Sequence, residues 1–181
     1  MTKQTKPSPE SSAKELLERC AIQGVPVPVE KIAKTLGAQV RYSPLDQELS
    51  GMVFVKDGVP IIGVNSLHHP NRQRFTIAHE IGHLCLHREL ITANVHVDKQ
   101  FAEVGLRRDA NSASGLNQVE IEANQFAAAL LMPEAALEEL LGDTPIDIED
   151  ESSLDRLSKK LKVSKATLQY RIRNLEADRG T

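Results

Sequence analysis

Aromatic side chains are scarce in this sequence, which has no tryptophan, two tyrosines and four phenylalanines among 181 residues. The core must therefore be mainly aliphatic, and an apolar fraction of 40% is enough for one domain, or one domain with a small appendage. Long apolar runs are missing too. None approaches the roughly 18 residues of a membrane helix, and the polar N-terminus lacks a signal-peptide core. We expect no membrane association.

Cysteine and an excess of one charge are also lacking. Cys20 and Cys85 form no C-x-x-C pair, which is typical of a protein in the reducing cytoplasm. Cys85 falls on the side of a predicted helix that faces away from the candidate site described below, so we expect a small core residue there. The net charge of −3 gives no overall field that would recruit nucleic acid or an anionic membrane.

A metal-binding pattern is present in residues 74–83, which read Arg-Phe-Thr-Ile-Ala-His-Glu-Ile-Gly-His. The apolar residues have helical period, and positions i and i+4 of a helix share a face, so His79 and His83 can hold one metal ion. Glu80 lies about 100° around the helix, too far to be a third ligand of that pair. This is the H-E-x-x-H arrangement of zinc peptidases, in which the carboxylate takes a proton from an activated water. We predict that Glu80 is the general base.

The neighbours of this motif refine the prediction. Gly82 lies inside the helix, where glycine is unfavourable, and a closely approaching backbone or substrate would explain it. Leu86 and Glu89 stand where a metzincin would have glycine and histidine, so the third ligand must come from elsewhere. His87 continues the ligand face, but three successive histidines on one straight helix cannot converge tetrahedrally. We expect His87 beside the site or on the surface.

A second helix is predicted downstream, where Pro133 ends an apolar pattern of helical spacing formed by Val119, Ala123, Phe126, Ala127, Leu130 and Leu131. A carboxylate on this helix can complete a site of two histidines and one glutamate.

Two glutamates compete for that role. Glu120 has Asn124 one turn later on its own face, where the amide could orient a ligand histidine. Glu122 has Phe126 in the corresponding place, which suggests a packing face. We therefore favour Glu120, although Asn117 and Glu120 also have capping-box spacing, and Glu120 could instead bond to the helix start.

The two motifs in this order resemble the ImmA/IrrE family of bacterial and phage metallopeptidases. The similarity spans about residues 25–175 and includes the lead-in at 74–78, the pattern Glu120-x-x-Ala-Asn-x-Phe-Ala-x-x-Leu-Leu-Met-Pro, and Arg108-Asp109-x-x-Ser112-x-x-Gly115. The resemblance implies a small zincin fold with one zinc ion, Zn²⁺, held by His79, His83 and Glu120, and Glu80 as the base. It also implies that the substrate is a protein, often a helix-turn-helix repressor encoded nearby.

The predicted fold class is α+β, a small zincin-like domain with a short twisted sheet and active-site helices, plus a C-terminal pair of helices resembling a helix-turn-helix. We divide the chain into a disordered segment 1–10, a metallopeptidase domain 11–142, an acidic linker 143–151 and C-terminal helices 152–181. In the domain, Ser11 or Ser12 should cap a helix ending near Gly24, and a second helix should span residues 29–36.

Three strands should precede the active-site helix, around Val40 and Tyr42, over residues 52–55 and over residues 60–64. Asp57-Gly58 between the last two is a strong hairpin signal. Asn71 is the expected cap of the active-site helix. Because zincin-like sites lie beside an edge strand to which an extended substrate can pair, we expect the 51–64 hairpin to supply that edge.

The connection between the two predicted metal-bearing helices, residues 90–117, has little periodicity and is expected to rim the cleft. Residues 95–97 could form a short strand with His96 on the surface. For Arg107, Arg108 and Asp109 we favour a structural role over substrate binding.

Two short amphipathic helices are predicted at the C-terminus, broken at Lys162-Val163-Ser164. Eight basic residues oppose three acidic ones from 152 to 181, a local balance of 8 − 3 = +5. A DNA-reading helix would present a polar face formed by Lys165, Thr167, Gln169 and Arg171. We prefer a bihelical cap packed on the core or a surface for a protein partner, because the remainder of the chain is acidic and would repel DNA.

The sequence thus favours a cytoplasmic zinc endopeptidase of narrow specificity, acting on a helix-turn-helix repressor or antitoxin in a phage, mobile-element or stress-response switch. Tyr170, Tyr42, His87 and the backbone are candidates for stabilising the oxyanion. The alternative is a zinc-bound regulatory or toxin-like module that binds a protein or DNA without proteolysis.

Overall fold

The structure is a computed structural model that describes residues 7–93, 96–99, 115–142 and 150–179. Over these residues the chain forms eight helices and one four-stranded sheet, so the α+β class is confirmed. The helices are α1 Pro9–Arg19, α2 Val29–Thr35, α3 Pro70–Leu86, α4 Arg88–Ala93, α5 Gly115–Leu131, α6 Glu134–Leu141, α7 Glu151–Leu161 and α8 Lys165–Arg179. The strands are β1 Gln39–Ser43, β2 Leu49–Lys56, β3 Val59–Asn65 and β4 His96–Lys99. No helix within the described ranges is long and apolar enough to cross a bilayer.

The sheet has the order β1-β3-β2-β4 and is mixed, with β1 parallel to β3 and the other two pairs antiparallel. The hairpin between β2 and β3 forms as predicted. Asp57 and Gly58 both have positive φ values, 52° and 78°, as a type I′ turn requires. Cross-strand partners Val53 and Ile62 are fully buried beneath the helices, so the hairpin forms the floor of the core.

The prediction that the hairpin supplies the edge of the sheet is wrong. Strand β2 pairs on its other side with β4, and β3 pairs on its other side with β1, so both hairpin strands are central. The strand expected near residues 95–97 forms as β4, which begins at His96, while Val95 lies outside the described residues. Among the strands that the structure describes, β1 and β4 are the outer ones.

Both predicted helix caps are displaced by prolines, which favour the first helical position. Ser8, not Ser11 or Ser12, caps α1, and its Oγ accepts a hydrogen bond of 3.1 Å from the amide of Ser11. The folded part therefore starts before residue 11, and residues 1–6 lie outside the described ranges. His69 rather than Asn71 caps α3, which begins at Pro70.

The core is aliphatic, as predicted, and the C-terminal helices are part of it. Their apolar side chains belong to the same buried cluster as those of the sheet and of α1, α3 and α5, and they include Leu154, Leu157, Leu161, Val163, Leu168 and Ile172. The turn between α7 and α8 falls at the predicted place, where Lys162 adopts the left-handed conformation with φ 53°.

The four residues that a DNA-reading helix would present do not form an exposed basic face on α8. Arg171 is 2% exposed and bonds to Glu10 and to the carbonyl of Met132, so it cannot enter a groove. Lys165 forms an ion pair of 2.6 Å with Glu151. Because these two basic side chains already have acidic partners within the chain, the packed cap is the better interpretation.

Candidate metal centre

The last turns of α3 place two histidines against each other in the core. His79 and His83 are almost completely buried, and their rings meet edge to face at a centroid distance of 4.5 Å. The Nε2 atoms of the two rings point at each other and are 2.9 Å apart. The i, i+4 spacing therefore produces the shared face that the sequence predicts.

Helix α5 brings Glu120 to the same point. Its two carboxylate oxygens lie 3.3 Å from Nε2 of His79 and 3.5 Å from Nε2 of His83. All three ligand atoms are within 4.8 Å of one another. The Glu120 side chain keeps 34% of its surface exposed, whereas the histidines have almost none, so the cluster opens to solvent on the glutamate side.

The distances between these atoms suit a tetrahedral zinc ion. With Zn–N and Zn–O bonds of about 2.0–2.1 Å, neighbouring ligand atoms of a tetrahedron are about 3.3 Å apart. Nε2 of His79 lies 3.3 Å from Oε2 of Glu120 and Nε2 of His83 lies 3.5 Å from Oε1, both close to this value. Binding through a single oxygen would need a small rotation of the carboxylate, and the histidine–histidine distance of 2.9 Å would have to open by a few tenths of an ångström. Two imidazoles and a carboxylate are also the donor set of a catalytic zinc site with one position left for water.

Close packing of α3 on α5 holds the three side chains together. At Gly82 a Cβ atom would lie 3.1 Å from Cδ1 of Phe126, 3.2 Å from the carbonyl oxygen of Ala123 and 3.3 Å from its Cα. The predicted close approach at Gly82 is confirmed, and the partner is the backbone of the helix that carries Glu120.

Glu80 is fully buried and lies between α3 and the sheet. Its Oε1 is 3.5 Å from the position that a Cβ of Gly51 would occupy on β2, and the same Cβ would collide with Thr76 at 2.4 Å. Glu80 does not belong to the group of ligand atoms, although it directly follows His79. Gly51 was not predicted to be near the site, although a glycine inside a strand pattern often marks a close approach of another group.

Glu120 and Glu122 take different directions from α5. Oε2 of Glu122 lies 3.5 Å from Nε2 of His87, and its Oε1 accepts a hydrogen bond of 3.2 Å from Gln118. Glu122 thus faces a basic partner instead of the cluster. The capping-box alternative for Glu120 fails, because α5 begins at Gly115 and Asn117 already lies inside the helix.

Asn124 is 8% exposed, and its Oδ1 has no hydrogen-bond partner among the described residues. An orientation of a ligand histidine by this amide stays a prediction.

Other candidates are placed less centrally. His87 is buried at the C-terminal cap of α3, with its ring centroid 5.6 Å from that of His83, so it lies beside the site and not on the surface. Cys85 is exposed, and the prediction of a core position is wrong: the residue lies on the side of α3 opposite to the buried His83, and this side faces solvent at the last turn. Tyr42 lies on the outer strand β1, where its hydroxyl donates to Glu30. Burial and that hydrogen bond raise the pKa of Tyr42 above its usual value.

Most of the predicted cleft rim, including Arg107, Arg108 and Asp109, lies outside the described residues, as does the side chain of His96.

Comparisons with known proteins agree with the geometry. The model of a peptidase family described as the IrrE N-terminal-like domain matches residues 33–173. The radiation response metalloprotease IrrE of Deinococcus radiodurans is 36% identical over an alignment of 115 residues, and the match covers 61% of this chain and 30% of that protein.

Among solved structures, a Mycobacterium tuberculosis transcriptional regulator has a similar fold, with a TM-score of 0.58 and 18% identity over 90% of this chain and 46% of that one. The chain thus spans less than half the length of either relative. Because the family model covers most of the chain and includes both helices that carry the candidate ligands, this protein belongs to the IrrE N-terminal-like peptidase family.

Proposed function

We propose that this chain is a zinc-dependent endopeptidase of narrow specificity. The observation that carries the proposal is the convergence of His79, His83 and Glu120, whose ligand atoms lie within 4.8 Å of one another. Membership of a metallopeptidase family supports it. In this proposal the three residues bind one Zn²⁺ ion, and Glu80 is the general base.

Each residue has a distinct task. A zinc ion held by these ligands would polarise a substrate carbonyl and lower the pKa of a water molecule towards about 7. Glu80 has no solvent-exposed surface, so the proton that its carboxylate accepts comes from within the site and not from bulk solvent. The same carboxyl group then donates that proton to the departing amine. The exposed side of Glu120 leaves room for a substrate to approach.

The substrate that we propose is a protein, specifically a helix-turn-helix repressor or antitoxin in a phage, mobile-element or stress-response switch in the cytoplasm. The resemblance to the ImmA/IrrE family supports this choice, and the name of the Deinococcus relative refers to a radiation response. An extended segment of the substrate would pair with the outer side of β4. Strand β4 pairs directly with β2, and Gly51 of β2 lies next to Glu80.

The decisive experiment uses Glu80→Gln, which keeps the size of the side chain but removes the base. Zinc content should stay at one ion per chain, and cleavage of a repressor encoded beside the gene should be lost. His83→Ala should lose both zinc and cleavage. If Glu80→Gln still cleaved at the wild-type rate, the proposed mechanism would be refuted. A stable complex without cleavage by the wild-type chain would favour the regulatory module instead.

A matched pair tests the choice of the third ligand. Glu120→Gln removes a charged oxygen from the cluster and should abolish zinc retention after dialysis, whereas Glu122→Gln should stay loaded because Glu122 faces His87. Zinc lost from Glu122→Gln but kept by Glu120→Gln would reverse the assignment.

A further inference from the structure

The C-terminal pair of helices, residues 151–179, is bonded to both helices that carry the candidate ligands. On the α3 side, Nδ2 of Asn71 donates to the carbonyl of Val163 at 3.0 Å, and Nε of Arg74 donates to the carbonyl of Lys162 at 3.3 Å. Both acceptors lie in the left-handed turn between α7 and α8. The N-terminal end of α3 is therefore fixed to this turn.

On the α5 side the contact is made by Arg171. Its Nε donates to the carbonyl of Met132 at 3.0 Å, and Met132 directly follows the last residue of α5. The last carbonyls of a helix have no hydrogen-bond partner within the helix and carry partial negative charge. A cationic donor at this end therefore supplies the missing hydrogen bond and neutralises the charge. Arg171 therefore caps the C-terminal end of α5.

The guanidinium of Arg171 cannot turn away from this position. Nη2 donates to Oε1 of Glu10 at 2.6 Å, and Nη1 bonds to Oε2, which makes the ion pair bidentate. The side chain of Arg171 is 2% exposed. With the charge neutralised by Glu10 and the plane of the guanidinium fixed, Nε is held in line with the end of α5.

We propose that the C-terminal helical pair is a clamp that sets the position of α5 relative to α3, with Arg171 as its positioning residue. The inference rests on the metal site of the proposed function. Glu120 lies twelve residues before Met132, about 18 Å along a rigid helix, so an axial shift at one end is transmitted to the other. Metal–ligand distances in protein sites stay within about 0.2 Å of their usual values. Loss of the clamp should therefore weaken zinc binding without removing any ligand.

The experiment compares two variants of the full chain that lose the same ion pair. Arg171→Met removes both the ion pair and the bond to Met132. Glu10→Gln removes the charge of residue 10 but keeps an amide oxygen that can accept from the guanidinium, so the bond to Met132 stays. Zinc affinity is measured by competition with a chelator at a temperature where circular dichroism shows both variants folded. Both should melt at a lower temperature than the wild type. Only Arg171→Met should bind zinc more weakly, by on the order of 10-fold, and only it should shift the visible spectrum of the Co²⁺-loaded protein.

Equal zinc affinity in the two variants would overturn the clamp, because stability alone would then explain the role of Arg171. If Arg171→Met does not fold, Asn71→Ala tests the other attachment, and an unchanged zinc affinity in a folded Asn71→Ala would overturn the clamp as well. Failure of the wild-type chain to bind zinc would refute the metal site itself. Zinc binding by Arg171→Met with the same affinity as the wild type would refute only the clamp.

Discussion

Replacing Gly82 by alanine perturbs the metal centre without touching a ligand. The new Cβ would lie 3.1, 3.2 and 3.3 Å from three atoms of α5, and ordinary contact begins at 3.4 Å, so the helices must separate by about 0.1–0.3 Å. Two of the three atoms belong to the backbone of Ala123 and cannot rotate away. Glu120 is three residues before Ala123 on the same helix, and it must move with that backbone.

Two opposing terms determine the stability of the variant. The higher helix propensity of alanine stabilises the folded state by about 1 kcal/mol relative to glycine. Overpacking of a close interface costs about 1–3 kcal/mol. The metal-free variant should therefore be between equally stable and about 2 kcal/mol less stable than the wild type. Zinc binding is more sensitive, because the displacement is as large as the roughly 0.2 Å range within which metal–ligand distances lie. We expect a roughly 10-fold loss of zinc affinity.

Chelator competition gives the zinc affinity of Gly82→Ala, and denaturant unfolding in the absence of metal gives its stability. Adding Phe126→Leu relieves only the ring contact, so zinc affinity should stay low in the double variant. A variant that gains the full 1 kcal/mol of helix propensity and keeps wild-type zinc affinity would refute the argument, because the helices would then accommodate the methyl group without moving.

Two further predictions concern the sheet. Gly51→Ala should reduce activity and stability more than Gly63→Ala in peptidase and unfolding assays. The new Cβ at position 51 would lie 2.4 Å from Cγ2 of Thr76, whereas the one at position 63 would be too close only to the flexible side chain of Met52, at 3.0 Å. Equal losses in the two variants would contradict this. Because the pKa of Tyr42 is raised in the folded state, its contribution to stability is full below its unfolded pKa of about 10 and is lost as pH rises through the folded pKa. Alkaline unfolding curves should show this loss in the wild type and not in Tyr42→Phe, and parallel curves would contradict it.

Local periodicity predicted the parts of the site that depend on one helix. His79 and His83 meet because four residues make about one helical turn. Glu120 was favoured over Glu122 because the residue one turn later is the polar Asn124 for Glu120 and the apolar Phe126 for Glu122. The hairpin turn at Asp57-Gly58 also follows from a local preference for positive φ values, and the break at residues 162–164 follows from the interruption of the apolar pattern. These features need no knowledge of distant contacts.

The errors concern contacts between distant segments. The pairing of β4 with β2 could not be read from the sequence, because β4 comes from a connection with little periodicity. The packed cap was favoured over a DNA-reading face, but the part of Arg171 in that packing could not be predicted, because its partner Glu10 is 161 positions away in the chain. Only the tertiary structure shows that Glu10 lies close enough to neutralise the charge of Arg171.

The central claim, that three residues from two helices bind one zinc ion, is tested most directly by anomalous diffraction at the zinc absorption edge. For crystals of the zinc-loaded chain, the account predicts one anomalous peak at about 2.0–2.2 Å from Nε2 of His79, Nε2 of His83 and a carboxylate oxygen of Glu120, with Glu80 outside bonding distance. A peak between His87 and Glu122, or one bound by the histidines without Glu120, would contradict it.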